Sequence, residues 1–538
     1  MEQKENKTFS TGSGIPLKSI YTPDDIKGFE YSRDLGNPGE EPFTRGIFPQ
    51  MYRSRPWGIK QLFGHGTVEE MNKRFRLALE RGQTRLSFAP DNATCYGLDI
   101  DDHRVSPADT GVMGAAINTI QDCDVMYKDI PLDKVHIDFL SSAPNQAPFL
   151  ALYIALYKDR GFDFSEMRGS CHNDLVFAYV SSMIRDPIPP SAAVRLTGDM
   201  VEWSVENAPR WVVLGTNPGY NARESGCTAF EELALGFANA ICQIDEVLKR
   251  GKLGIDDFGR GIGFHLSSDS DFFEEIAKYR AGRRIWCKLA KERYGAKDEQ
   301  ILKYRFHVQV AGSSLTYNQP LNNISRIAYQ VMAAALGGAQ SITPNSYLEA
   351  ICEPTEESEL ISVRTQQIAQ FETNITNVVD PLGGSYYLEW LTDEIERRAW
   401  SYLEKIEELG GLVKVIESGW IHNEFASRMM DNFVKKMQGK NKKVGVSCFR
   451  MEKEPYKFKV LDTPRGTYEI QKERIMEFKR DRDNGKVKKN LEEIRKRAVD
   501  GGNVMSALIN AAEERATLGE MCEVFREEFG RFDFPMPS

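Results

Sequence analysis

Small and polar side chains recur inside short apolar runs that are typical of β-strands. They are Ser87, Asp138, Ser141, Ser170, His172, Gly261, Gly263, His265, His307 and Gln309. Barrels of parallel strands normally fill their interior with Val, Ile and Leu, whereas this alternation leaves space and hydrogen-bonding groups. Because buried polar groups without partners are costly, we expect a ligand or water in that space. The alternative is that these residues lie in loops at the strand ends.

Short strands alternating with helices are predicted to position these side chains. Candidate strands are residues 84–90, 135–142, 167–172, 211–217, 261–267 and 304–310, with short ones near Ser341 and Val378. Apolar residues at spacings of three and four predict helices over 68–80, 147–158, 230–248, 272–293 and 324–335. Eight strands with intervening helices favour a parallel sheet, and eight strands can close a barrel.

The predicted fold class is therefore α/β, a (β/α)8 TIM barrel with additions at both ends. Residues 1–50 are rich in Pro and Gly and predict an extended N-terminal arm. Residues 51–395 form the predicted barrel, and residues 396–538 a mostly helical C-terminal region. The clearest helices of that region are 399–409, 424–437 and 504–514. Since no Gly/Ser-rich linker intervenes, we expect this region to pack on the barrel.

Composition excludes several classes of function. Sixty-nine Lys and Arg against 78 Asp and Glu give a net charge of −9, which argues against nucleic acid or an anionic membrane as partner. The nine cysteines form no CxxC pair, which fits a reducing cytosol and argues against a structural zinc site. No apolar run reaches the roughly 18 residues of a membrane span. We therefore expect a soluble, cytoplasmic protein with no metal site of its own.

An ordered set of motifs connects the chain to a known family. The motifs include residues 51–63 (MYRSRPWGIKQLF), 84–105 (TRLSFAPDNATCYGLDIDDHRV), 219–226 (GYNARESG), 272–286 (FFEEIAKYRAGRRIW), 307–316 (HVQVAGSSLT), 379–385 (VDPLGGS) and 515–520 (RATLGE). Each is weak alone, but together they run in order from about residue 43 to 530. In this the chain resembles the methylmalonyl-CoA mutase family, in its large-subunit form.

The resemblance implies an isomerase that rearranges the carbon skeleton of an acyl-CoA by radical chemistry, with adenosylcobalamin as cofactor. It also implies that the pantetheine chain of CoA occupies the barrel axis, which would explain the small polar interior. The family's cobalt-ligating loop, Asp-x-His-x-x-Gly, is headed by none of the seven histidines; His103 is followed by Arg-Val-Ser. A separate small cobalamin-binding subunit, and thus a hetero-oligomer, is expected.

The resemblance also assigns site residues, position by position. Those implied to bind substrate are Phe48, Met51, Arg55, Lys60, Ser87, Ser141, Ser170, Ser182 and Arg185. Arg55 and Lys60 match basic residues that contact the CoA phosphates. Those implied to line the cobalamin face are Ala89, Glu224, Gln309, Gly312, Glu349 and Ala350. Those implied at the reaction centre are Leu62, His172, Tyr220, Asn221 and Gln309.

Four of these positions depart from the family pattern. Asn221 replaces the His that acts as general acid on the thioester carbonyl; its amide can donate a hydrogen bond but cannot transfer a proton at neutral pH. Leu62 replaces an aromatic residue that wedges against the adenosyl group, and Ser182 lies near the Arg that pairs with the free carboxylate of methylmalonyl-CoA. His172 replaces a Gln after the third predicted strand.

These departures predict an unusual acyl group. A second carboxylate would lack its partner unless Arg53, Arg185 or Arg223 replaces the missing Arg. Related hydroxyisobutyryl-CoA mutases carry Asp where this chain has Ala89, so a hydroxyacyl substrate is not supported either. Leu62, together with Pro90 in place of another ring, predicts a reshaped and roomier acyl pocket.

We hypothesise that the general-acid role has moved from position 221 to His172, since the two residues follow neighbouring strands at one mouth of the predicted barrel. The alternative is that His172 only hydrogen-bonds a ligand or the backbone. Two other functions stay open at this point. One is a catalytically idle subunit kept for assembly or regulation of a heteromeric mutase, and the other is a cobalamin-independent barrel enzyme that acts on a CoA ester.

Overall fold

Eight parallel strands close a barrel in chain order. The strands are β1 (Gly58–Phe63), β2 (Arg85–Phe88), β3 (His136–Phe139), β4 (Gly169–His172), β5 (Trp211–Thr216), β6 (Ile262–Ser268), β7 (Phe306–Val310) and β8 (Ser341–Thr343). Strand β8 pairs with both β7 and β1, which completes the ring and confirms the predicted fold class. The structure is a computed structural model and describes residues 9–140, 143–216, 218–438, 442–453, 457–461 and 464–535.

One of the predicted strand positions is wrong, and one strand of the barrel was not predicted. The strand expected near Val378 is absent, and Val378 lies 59% exposed in a loop. The eighth strand is instead β1, at the start of the barrel. Its Lys60 and Gln61 are both buried, so these polar residues interrupt the apolar pattern by which strands are found. The strand count was therefore right, but one member was misplaced.

Helices cover the outside of the barrel and continue beyond it. They are α1 (Val68–Glu80), α2 (Asn92–Cys95), α3 (Ile120–Met126), α4 (Gln146–Asp159), α5 (Pro190–Asn207), α6 (Pro218–Glu224), α7 (Ala229–Lys249), α8 (Ile255–Phe258), α9 (Phe272–Lys288), α10 (Glu299–Leu302), α11 (Asn322–Leu336), α12 (Glu356–Phe371), α13 (Tyr386–Glu408), α14 (Leu412–Glu417), α15 (Trp420–Met437), α16 (Thr467–Arg480), α17 (Asn484–Asp500), α18 (Met505–Glu513) and α19 (Leu518–Phe529). The start of α1 shows why the sequence sets these bounds. Thr67 and Glu70 form a capping box in which the Glu70 carboxylate accepts from the Thr67 backbone N–H at 2.9 Å.

The apolar core lies between the strands and the helices. Phe139 on β3 packs edge-on against Phe149 of α4 at 4.8 Å, and Tyr153 of α4 packs against Trp211 of β5 at 5.8 Å between ring centroids. Because side chains alternate along a strand, this outward packing leaves the other set of residues facing the barrel axis. The aromatic side chains thus pack between the strands and the outer helices, and the polar side chains of the strands face the barrel axis.

The arm and the C-terminal helices are tied to the barrel by buried arginines. Arg283 of α9 donates to the carbonyl oxygens of Phe43 at 2.7 Å and Thr44 at 2.6 Å. Arg526 of α19 is fully buried and donates to the carbonyl of Gly97 at 3.0 Å. The C-terminal helices therefore pack on the barrel, as expected, while the domain boundaries remain a prediction.

Within the described ranges no helix combines the length and the apolar character needed to cross a membrane.

Candidate functional site

A cavity of about 730 Å³ opens at the N-terminal ends of the strands and follows the barrel axis. Phe48, Met51 and Arg55 line its entrance. Inside it lie Lys60, Asp138, Ser170, His172, His265 and His307, which come from five strands of the barrel. Six of the predicted residues are thus brought together along one channel, namely Phe48, Met51, Arg55, Lys60, Ser170 and His172.

Positive charge dominates the wall of this channel. The charged side chains that line it are Arg55, Lys60, Arg85, Arg260 and Arg305, against Asp138 as the one carboxylate among the described lining residues. Arg85 begins β2, and Arg305 immediately precedes β7, so these cations form the rim at the strand N-termini. An elongated anionic ligand fits such an entrance.

Asp138 organises the polar middle of the barrel. Its carboxylate lies 3.1 Å from the Lys60 Nζ atom and 2.9 Å from the His136 Nε2 atom, and it also accepts a hydrogen bond from the Ser170 hydroxyl. Burial alone would raise the pKa of Asp138, but His136 and Lys60 hold that pKa well below its ordinary value. Lys60 is buried in this ion pair, deeper in the channel than Arg55 at the entrance.

A second cavity of about 200 Å³ lies at the C-terminal ends of the strands; we call it the mouth cavity. Helix α6 follows β5 directly and brings Tyr220 and Asn221 to its wall. The predicted residues that line it are Leu62, Ala89, His172, Tyr220, Asn221, Gln309 and Glu349. His172 and His265 line both cavities, so they mark the junction of the channel and the mouth.

Hydrogen bonds fix two amides of the mouth cavity. The Asn221 Nδ2 atom donates to Asp174 Oδ2 at 2.8 Å, and the Gln309 Nε2 atom donates to Asn345 Oδ1 at 3.2 Å. The Asn221 amide nitrogen is therefore already engaged by a protein carboxylate. Neither Asp174 nor Asn345 was predicted as a site residue; their positions two residues after the ends of β4 and β8 are a signal that could have found them.

The titratable groups of the mouth are shifted toward their neutral forms. Burial, with a smaller contribution from Lys60, lowers the pKa of His172 to about 3. Burial raises the pKa of Asp174 to about 6 and that of Glu224 to about 7. Glu349 is exposed at the rim, but protein atoms bury its carboxyl group in part. This burial, together with the charge of the neighbouring Glu353, raises the pKa of Glu349 to about 8. At neutral pH the His172 imidazole is uncharged.

A carboxylate-lined recess borders the mouth at Gly312. The Glu224 carboxylate accepts from the Ser313 backbone N–H at 2.8 Å. A Cβ atom on Gly312 would lie 3.3 Å from Glu224, 3.3 Å from Asn345 and 3.4 Å from Glu349, so a side chain there would crowd this recess. Three residues assigned to the cobalamin face thus meet at one point. Ala350 is exposed beside them and lines neither cavity.

Other predicted residues lie away from both cavities. Ser182 is exposed, and Arg185 is 42% exposed with its guanidinium bonded to the Arg104 carbonyl. Ser87 is buried between Leu62 and Asp138 in the strand register, and its hydroxyl has no hydrogen-bond partner among the described residues. Ser141 falls outside the described residues.

The proposed substitutes for the missing carboxylate clamp lie away from the mouth cavity. Arg223 is buried beside Glu275 at 3.0 Å, within a cluster of carboxylates behind α6. Arg53 donates to the Asn377 carbonyl at 3.0 Å on the surface, and Arg185 lies on the surface too. None of these three arginines lines the mouth cavity. The structure therefore offers none of the three as a cation for the mouth cavity.

The fold is that of a barrel enzyme, and the axial channel with its cationic rim has the shape and charge to suit an elongated anionic ligand. Residues 10–531 match the methylmalonyl-CoA mutase family, and the chain belongs to it. Members of this family are acyl-CoA mutases, hence isomerases, and the family depends on cobalamin in general.

Three relatives illustrate the breadth of the similarity. The 2-hydroxyisobutanoyl-CoA mutase large subunit of Aquincola tertiaricarbonis is 37% identical over 99% of this chain and 93% of its own length. The methylmalonyl-CoA mutase of Cereibacter sphaeroides is 35% identical over 98% of this chain and 73% of its own length. The mitochondrial methylmalonyl-CoA mutase of Homo sapiens is 33% identical over 98% of this chain and 69% of its own length.

Replacing Asp174 by Asn should change how stability depends on pH. Folding raises the pKa of Asp174 from 3.8 to about 6, so the folded state holds a proton that the unfolded state releases. The stability contributed by the neutral carboxyl is present below pH 4 and is lost as the pH rises through 6. Relative to Asp174→Asn, the wild type should therefore lose about 1–3 kcal/mol between pH 4 and pH 7.

Denaturant titrations at several pH values, followed by tryptophan fluorescence, measure this difference. Asp159→Asn, at an exposed position of α4, controls for the loss of a charge. A stability difference that stays constant from pH 4 to pH 7 would contradict the raised pKa of Asp174.

Proposed function

We propose that this chain binds an acyl-CoA ester along the barrel axis, with the nucleotide at the N-terminal opening and the acyl group in the mouth cavity. The observation that carries the proposal is the contrast in charge between the two ends. Five cations line the channel and its entrance, where Arg side chains suit the pyrophosphate and the 3′-phosphate of CoA. The polar axial residues match the amides of pantetheine.

The acyl group is proposed to lack a second carboxylate. Among the described residues that line the mouth cavity, Asp174, Glu349 and Glu353 carry carboxyl groups, and no Lys or Arg is present. A free carboxylate there would be desolvated beside other acids without a cation to pair with. Leu62, half-buried in this wall, leaves room for a branched apolar acyl group.

Adenosylcobalamin is proposed to lie over the mouth, where its cobalt–carbon bond supplies the radical chemistry when it is bound. The recess at Gly312 supports this assignment, because a Cβ atom would fill it. Glu224 and Glu349, with pKa values of about 7 and 8, offer both donors and acceptors to the amide side chains of a corrin. Ala89 and Ala350 would contribute small apolar surfaces beside them.

A separate small subunit is proposed to supply most contacts to the cobalamin. The A. tertiaricarbonis relative, of which 93% is covered, is itself described as a large subunit. The cobalt-ligating loop, Asp-x-His-x-x-Gly, does not occur in these 538 residues. The functional unit would then be a hetero-oligomer.

His172 is proposed to take over the contact to the thioester carbonyl that the family assigns to the position of Asn221. It lies at the junction of the two cavities, while the Asn221 amide nitrogen is engaged by Asp174. The lowered pKa of His172 leaves it neutral, so its N–H would polarise the carbonyl as a hydrogen-bond donor without delivering a full proton from an imidazolium. Tyr220 would close the wall on the α6 side.

Substrate affinity should discriminate against a free carboxylate. Isobutyryl-CoA should bind about tenfold or more tightly than methylmalonyl-CoA, because the two differ by a carboxylate that finds no cation in the mouth cavity. Calorimetric titration of the purified chain measures both affinities, with CoA alone as the reference for the shared part of the ligand. Equal affinities would mean that a cation reaches the acyl group and would exclude this choice of substrate.

Isolation from the native source should recover a partner. Mass spectrometry should identify a small co-purifying protein, and the visible spectrum should show a bound corrinoid. Adenosylcobalamin together with isobutyryl-CoA should strengthen the association. A chain that stays alone and colourless under these conditions would instead support an idle subunit or a cobalamin-independent enzyme.

Replacing His172 should separate catalysis from binding. In the reconstituted enzyme, His172→Ala should lower turnover about 100-fold or more, the scale expected for loss of one donor to a reacting carbonyl. Affinity for isobutyryl-CoA should change only about threefold, because most contacts are to CoA. His172→Gln, which keeps an N–H donor, should recover part of the turnover.

Asn221→Ala is the matched control for His172, since its amide nitrogen is already bonded to Asp174. Its turnover should fall less than that of His172→Ala. Normal turnover in His172→Ala would end the proposed role of this residue.

A further inference from the structure

Two of the described residues, His172 and His265, line both the channel and the mouth cavity. His265 projects from β6 and is 6% exposed. Its ring centroid lies 5.6 Å from that of His172 and 4.6 Å from that of His307. The imidazole therefore stands between the axial channel and the space above it.

Both ring nitrogens of His265 are buried, and neither has a hydrogen-bond partner among the described residues. The neighbouring His307 differs, because its Nδ1 atom lies 2.8 Å from the Ser341 hydroxyl. A buried imidazole with neither nitrogen satisfied is a costly arrangement unless a bound molecule supplies the partners. Since the ring lines the cavities, the missing partners must come from whatever fills them.

The ring is held in place by its neighbours. Tyr220 of α6 stacks on it at 5.4 Å between centroids, with 23° between the ring planes. Burial and the neighbouring His172 keep the pKa of His265 well below its ordinary value, so the ring is neutral. A neutral imidazole offers one N–H donor and one acceptor. His265 is thus suited to hydrogen bonding with an uncharged group.

We propose that His265 is a substrate-binding residue that donates a hydrogen bond to the thioester carbonyl of the bound acyl-CoA, opposite His172. The proposal rests on the proposed function. In an acyl-CoA the thioester joins the CoA chain to the acyl group, just as His265 stands where the channel joins the mouth cavity. With their centroids 5.6 Å apart, the two imidazoles can flank one carbonyl oxygen, which has two lone pairs.

A pair of ligands that differ only in the carbonyl oxygen tests this contact. Acetyl-CoA carries the thioester, and S-ethyl-CoA is the thioether without that oxygen. The ratio of their affinities, measured by calorimetry on the full chain, reports the hydrogen bonds made to the carbonyl. The wild type should prefer acetyl-CoA, and His265→Phe, which keeps a ring against Tyr220, should lower this preference roughly fivefold.

Two further variants separate the hydrogen bond from packing. His265→Gln keeps a donor and should retain part of the preference for acetyl-CoA. His307→Phe removes the adjacent imidazole, which lines the channel but not the mouth cavity, and should leave the preference unchanged even if both affinities fall. If circular dichroism shows that the His265→Phe protein does not fold, because the apolar ring is larger, His265→Leu takes its place.

The outcomes distinguish this inference from the proposed function. If His265→Phe or His265→Leu binds both ligands and keeps the wild-type preference, the His265 contact is wrong while acyl-CoA binding stands. If the wild type binds both ligands equally, the contact is wrong as well. If the wild type binds neither acetyl-CoA, S-ethyl-CoA nor CoA, the proposed function itself fails.

Discussion

The channel exists because residues without side chains lie side by side on adjacent strands of a closed barrel. Eight parallel strands enclose a space just wide enough for their own inward side chains. Here Gly215 of β5 pairs with Gly263 of β6, and a Cβ on Gly215 would lie 2.9 Å from the Cys171 carbonyl and 3.3 Å from the His172 ring. Space along the axis, the placement of His172 and the continuity between the two cavities all depend on this missing volume.

Charge along that axis gives the channel a direction. The cationic rim lies at the strand N-termini, Asp138 neutralises Lys60 in the middle, and Asp174 and Glu349 carry carboxyl groups at the mouth. A ligand with phosphates at one end and an uncharged group at the other is favoured in one orientation only. Burial keeps the imidazoles of His172 and His265 neutral where the channel meets the mouth cavity, so neither imidazole places a cation beside the proposed position of the acyl group.

Local signals predicted the elements of the fold well, and tertiary contacts account for the errors. The capping box of α1 lies within four residues, so the predicted 68–80 agrees with the observed bounds. Strand β1 was not predicted, because its Lys60 is buried only through an ion pair with Asp138, which is distant in sequence. The site shows the same division: the resemblance pointed to His172 and Asn221, but the hydrogen bond from Asn221 to Asp174 depends on how α6 meets β4. Exposure of Arg185 and Ser182 likewise follows from the loop after β4, which no pattern specifies.

The unsatisfied imidazole of His265 bears on whether the barrel is idle. A subunit that binds no ligand would gain stability from an apolar residue at this position, since Tyr220 and His307 already provide a packed surface around the ring. The polar atoms of His265, of His307 at Nε2 and of Ser87 are buried and lack partners among the described residues. Their cost is offset only when a molecule with its own donors and acceptors lies along the axis. An acyl-CoA has amides and a thioester carbonyl spaced along its length, so the interior is better explained by a channel that fills than by one that has lost its ligand.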